Sequence, residues 1–168
     1  MKLNNLKDLF IHELKDLYNA EQQITKALPK MADKCNSDEV RNAFQKHLRE
    51  TETQIDRLEQ VFKMLNEKPS GEKCEAMEGI IAESKEIMQQ KVEPHVMDAA
   101  LIALAQRVEH YEIAGYGTVC AYAKQLGMRE AADILNQTLM EEKKTDQLLT
   151  DIAESTINIE AQQQNNRR

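Results

Sequence analysis

Residues 98–117 read DAALIALAQRVEHYEIAGYG. Leu101, Leu104 with Ala105, Val108 with Glu109, Glu112 and Tyr116 succeed one another at steps of three and four. That period is one face of an α-helix. The face is apolar except at Glu109 and Glu112, where two acids stand where core residues belong. The grid continues through Val119 and Ala123 to Gly127, a natural helix end. Upstream, Val92-Glu93-Pro94 breaks the chain. The stretch therefore predicts a helix over 95–126 with acid near its middle.

The same reading extends outward in both directions. Leu3, Leu6, Phe10, Leu14, Leu17, Glu21, Ile24, Leu28 and Met31 predict a helix over 3–34, with Pro29 kinking its last turn. Asn36-Ser37-Asp38 offers N-cap chemistry for a second helix over 38–67, which Lys68-Pro69-Ser70-Gly71 ends. Its grid is Val40, Phe44, His47, Glu50 or Thr51, Gln54, Leu58, Val61 and Leu65. A shorter helix follows over 72–91. A last long helix over 128–156 carries Ala131, Leu135, Thr138, Glu142, Thr145, Leu149 and Ile152. Five Gly and three Pro in 168 residues leave too few turn residues for a sheet protein. The fold class is all-α. Tight turns pair the first two and the last two long helices, and the short helix carries the chain back along the bundle. That is a four-helix bundle with one long crossover, the ferritin-like layout. Residues 1–157 form the bundle, and the polar stretch 158–168 is expected to be a disordered tail.

Each long helix has an acid on its inward stripe. Glu21 lies between Leu17 and Ile24, Glu50 and Gln54 between Phe44 and Leu58, and Glu142 between Leu135 and Leu149, with Asp146 one turn on. Glu109 and Glu112 complete the set. One such acid is ordinarily an edge residue that reaches water. Four, one per helix at compatible heights, point to a shared site. Burying an ionised carboxylate costs several kcal/mol, and several together repel. Divalent cations relieve both penalties, and hard oxygen ligands suit iron(II), manganese or magnesium. The expected ligands are Glu21, Glu50, Glu109, Glu112, Glu142 and Asp146, around two metal ions.

His47 lies on the inward stripe one turn before Glu50. We read it first as a hydrogen-bonded core histidine and second as a ligand or a donor to one. Gln54, Tyr18 and Tyr116 are further candidates for supporting the ligands. Tyr111 also flanks the acids, and all three tyrosines serve equally well as core filler. Cys35, Cys74 and Cys120 are an odd, widely spaced set, neither a disulfide framework nor paired with a base.

Several stretches resemble the YciF-like family of bacterial stress-response proteins, within the ferritin-like superfamily. They are Phe10-Ile11-His12 through Asp16-Leu17-Tyr18-Asn19-Ala20-Glu21, FQKHLRETETQIDRL over 44–58, CEAMEG over 74–79, residues 98–117 quoted above, and TLMEEKKTDQLLT over 138–150. The resemblance runs to about residue 155, and VEHYEIAGYG is its most specific part. It implies a dimeric bundle with a dinuclear metal site. In related rubrerythrins and ferritins the site takes a Glu from one helix and Glu-x-x-His from the next, twice. Carried over, Glu21 and Glu112 are the single acids, Glu50 and Glu142 open the two motifs, and Glu109 is the additional acid. The sequence departs where the histidines belong: Thr53 and Thr145 stand there, with Gln54 and Asp146 one residue on. The site is thus more oxygen-rich, which weakens the expectation of oxidase or peroxidase chemistry.

Charge and hydropathy limit the remaining possibilities. Lys plus Arg is 22 against 29 Asp plus Glu, a net charge of −7, which opposes nucleic-acid binding. No apolar run approaches the roughly 20 residues of a membrane span. Without a secretory signal or disulfide pattern, a reducing cytoplasm is expected. The functional expectation is a di-iron stress protein that reacts with oxygen or peroxide. The alternative is a dimeric structural or partner-binding bundle whose metal only holds it together.

Overall fold

The computed structural model describes residues 3–70 and 73–163; Gly71 and the end of the tail, 164–168, lie outside the described residues. α1 spans Leu6–Lys34, α2 Asp38–Met64, α3 Glu75–Gln89, α4 Pro94–Gln125 and α5 Arg129–Ile152. A π-helical turn, Ala153–Ile157, leads into a short α6, Asn158–Gln163. Among the described residues there are no strands, and no helix is long and apolar enough to cross a membrane.

Capping sets the helix ends. Asn5 opens α1, its Oδ1 accepting from the Asp8 amide at 2.9 Å. Ser37 caps α2 and the Cys74 thiol caps α3, each accepting from the amide three residues on. α1 runs through Pro29 to Lys34. α2 and α4 end alike, on a left-handed residue: Asn66 at φ 55° and Gly127 at φ 74°. The Glu67 amide then donates to the Phe62 carbonyl, and the Met128 amide to that of Ala123, both at 2.9 Å. This closes the carbonyls a helix end otherwise leaves open.

The long helices form a ring in which α1 touches α2 and α4, and α5 touches α4 and α2. Asp98, at the start of α4, is fully buried and binds the turn between α1 and α2. Its two oxygens accept from the Asn36 and Ser37 amides at 2.8 and 2.9 Å. α4 therefore starts at the end of the bundle where α2 starts, and the crossover must climb the bundle's length. α3 makes the upper part of that climb, packing Met77, Ile81 and Ser84 on α1 and α4. α1 and α4 approach closely at Gly115, where a Cβ would lie 2.7 Å from Leu17 Cδ2.

The tail departs from expectation. Residues 158–163 are helical and pack on α4. Ile157 is buried beside the main core, and His95 Nδ1 lies 3.2 Å from Glu160 Oε2. A buried anchor and a polar contact to α4 order residues 158–163, whose composition alone reads as unstructured.

The core is not continuous. One apolar cluster gathers Ile24, Leu28, Phe44, Leu101, Leu104 and Leu149 with their neighbours. A second gathers Phe10, Leu14, Leu58, Phe62, Tyr116 and Leu135. A layer of polar side chains separates the two halves.

Candidate metal centre

α1 brings Glu21 to this layer, α2 brings His47, α4 brings Glu109 and Glu112, and α5 brings Glu142; each is at most 1% exposed. One ligand atom from each of His47, Glu109, Glu112 and Glu142 lies within 4.8 Å of the others. His47 sits among the acids. Its Nδ1 is 3.0 Å from Glu109 Oε1, and its Nε2 is 3.5 Å from Glu142 Oε2 and 4.0 Å from Glu112 Oε2. Glu21 adjoins Glu112 and accepts the Tyr116 hydroxyl hydrogen bond on Oε1.

A shell of donors fixes one edge. Gln54 Nε2 donates to Glu142 Oε1, and to Glu141 Oε2 at 3.1 Å. Arg57 forks onto Glu141, Nη1 to Oε2 at 2.6 Å and Nη2 to Oε1 at 2.8 Å. This two-bond clamp closes the α2–α5 seam beside the cluster.

The electrostatics are those of acids lacking counter-charge. Burial, then the Glu142 charge, pushes Glu21 up to about 8. Burial foremost holds Glu109 and Glu112 well above the carboxylate range. Burial also acts against ionisation of Glu142, but contacts with His47, Glu109 and Gln54 outweigh it and bring this group down to about 2. Burial disfavours a charged His47, yet Glu109 and Glu142 raise it well above its ordinary value. Without a metal, these directions favour a protonated His47 facing Glu142 over a layer of ionised acids. Both oxygens of Glu109 and of Glu112, and one each of Glu21 and Glu142, are buried without a hydrogen bond. Buried polar atoms ordinarily have partners. Six orphaned carboxylate oxygens and an imidazole are a donor set that fits a divalent cation.

Two expected ligands, Glu50 and Asp146, are outside the group of four whose ligand atoms gather. Glu50 is 24% exposed at its side chain; its Oε1 pairs with Lys46 Nζ at 2.5 Å, while its Oε2 is buried without a hydrogen bond. Asp146 is half-buried and accepts from Gln106 Nε2 at 3.0 Å. Each lies one position off the inward stripe, which at 100° per residue turns a side chain to the helix flank. Tyr18 also faces away: its hydroxyl donates to Glu59 Oε1 at 2.8 Å, and its ring meets Phe62 edge-on. Tyr111 is bound to Asp16 and the Cys74 thiol. Tyr116 alone of the three reaches the acids. His47 is the α2 residue that joins the four-residue group. The strict grid Val40, Phe44, His47, Thr51, Gln54, Leu58 carried that signal; Arg57 and Asp98 gave none.

Helix order, crossover and a carboxylate–histidine layer midway along the bundle define a ferritin-like, all-α protein with a candidate metal centre. Residues 5–162 match the family described as domain of unknown function DUF892. The chain belongs to this family, the YciF-like proteins. It is 48% identical to Protein YciF of Escherichia coli (strain K12), over 96% of this chain and 98% of that one. The crystal structure of the E. coli stress protein YciF superposes with a TM-score of 0.89, covering 93% of this chain and 99% of that one at 48% identity. YcfI, a candidate structural protein from Rhodopseudomonas palustris, superposes at 0.87 with 46% identity, over 89% of this chain and 95% of that one. A Xanthomonas campestris protein at 20% identity shares the fold, with a TM-score of 0.78 over 96% of this chain and 99% of that one.

Proposed function

We propose that the buried layer is a two-metal centre, iron by preference, in a stress-response protein of the YciF type. The observation that carries this is the set of orphaned carboxylate oxygens around His47. His47, Glu109, Glu112 and Glu142 would hold one ion, and Glu21 beside Glu112 supplies the further ligand a second needs. Ferrous iron, when bound there by these residues, would supply the electrons for reaction with dioxygen or peroxide. The chain's own part is to place and shield the ligands. Tyr116 holds Glu21, Gln54 holds Glu142, and the two apolar halves of the core keep bulk water out. The E. coli relative is called a stress protein, which supports the physiological side of the reading. The family resemblance adds a homodimer, which a monomeric mass by light scattering would remove; the unpaired cysteines add a reducing, cytoplasmic setting.

Elemental analysis of protein reconstituted with ferrous iron should find about two ions per chain, the number a dinuclear carboxylate site takes. Glu112→Ala should lose them, and retention of both ions by this variant overturns the assignment. Ferrous protein mixed with dioxygen or peroxide should develop an oxidation band; none means no redox role.

A second reading rests on the 3.0 and 3.5 Å approaches of the two His47 nitrogens to Glu109 and Glu142. A protonated His47 is then the cation itself, and the protein is a metal-free structural bundle. Protein that takes up neither iron nor manganese favours this reading.

A further inference from the structure

The side of the bundle covered by α3 holds a cleft that leads toward the cluster. Its outer part, about 230 Å³, lies between α1 and α3. Its inner part, about 10 Å³, is on the order of one water-sized sphere. Ala27, Met31, Ile81 and Ser84 line both parts, and the inner one also touches His47 and Glu109. The four shared wall residues set the two cavities back to back, and the inner one, the throat, ends at the candidate ligands His47 and Glu109.

The lining selects what can pass. Apart from His47 and Glu109, the throat's polar side chain is Ser84, and its hydroxyl donates to the Ile80 carbonyl at 3.0 Å. A strongly hydrated solute would lose its water there without replacement bonds. The mouth carries Lys26, Lys30 and Lys85 and no carboxylate, which repels a divalent cation. An apolar gas meets neither penalty. We infer that the α1–α3 cleft is the path by which small apolar molecules, dioxygen foremost, reach the buried cluster. The inference deepens the oxygen-reactive reading above and rests on it for its purpose. Ala27 and Ile81 set the throat's width from opposite helices.

Two measurements test the path. Crystals of metal-free protein under xenon, which settles in apolar cavities, should show xenon beside Ala27 and Ile81, and A27L should remove it. Nitric oxide binds ferrous iron without any oxidation step. In ferrous-loaded protein it should bind A27L about tenfold more slowly and I81A faster, at unchanged iron content. Xenon missing from the throat of the unaltered protein overturns the path. So does nitric oxide binding at one common rate in all three proteins. Nitric oxide binding without any reaction toward dioxygen removes the redox reading and leaves the path standing. Protein that retains no iron removes the metal reading, and the xenon result then decides the path by itself.

Discussion

His47 has one nitrogen 3.0 Å from Glu109 and the other 3.5 Å from Glu142, so a single substitution separates its two possible duties. His47→Leu removes the cation that compensates the acids of the metal-free protein. Breaking a buried pair from one side costs about 3–5 kcal/mol. Thermal melts of chelator-treated protein should therefore show a large loss. With saturating manganese the loss should shrink, because the metal supplies the missing charge. An equal loss in both conditions argues for a purely structural histidine. Glu50→Ala makes the complementary test. Its carboxylate pairs with Lys46 at the half-exposed flank. Metal content should be unchanged, and stability should move by less than about 1 kcal/mol, as for exposed ion pairs.

At the level of elements, Asp98 joins two helices that are distant in sequence. Both its oxygens are spent on the Asn36 and Ser37 amides, and it is fully buried. Asp98→Ala leaves those amides without partners. Charge-assisted hydrogen bonds of this kind are worth about 1.5–3 kcal/mol each. The urea midpoint should fall accordingly with an unchanged slope, and an unshifted midpoint would show that the turn holds without it. The end of α4 gives a smaller effect. Gly127 sits at φ 74°, and Gly127→Ala should cost about 1–2 kcal/mol for forcing a Cβ into the left-handed region.

For the whole molecule, the acidic layer links stability to pH. Glu21 is raised from 4.5 to about 8, so its stabilising contribution is full below about pH 4.5 and is lost as pH rises through about 8. His47 is raised above 6.5 and acts in the same direction. Glu142, lowered from 4.5 to about 2, acts oppositely, with its contribution lost as pH falls below 4.5 toward 2. Between pH 5 and 8.5 the first two dominate. The melting temperature of metal-stripped protein should fall across that range. Metal replaces the protons, so its binding strengthens as pH rises and should flatten or reverse the trend. A stripped protein that melts equally at both ends would mean the layer is already solvated.

Length, breakers and the three–four grid determined the helices, because periodicity is a local property of the chain. The same grid placed Glu21, Glu109, Glu112, Glu142 and Tyr116 on inward faces, where the structure finds them buried. What the grid leaves undecided is which of two adjacent residues points inward. In α2 the choice between Glu50 and its neighbours turns on about 100° of helix rotation. Packing of α2 against α1 and α5 set that rotation, burying His47, Thr51 and Gln54 fully and leaving Glu50 partly exposed beside Lys46. The Asp98 tie, the Arg57–Glu141 clamp and the ordered α6 likewise come from contacts between residues far apart in the chain. No local pattern encodes such contacts, and only the assembled bundle decided them.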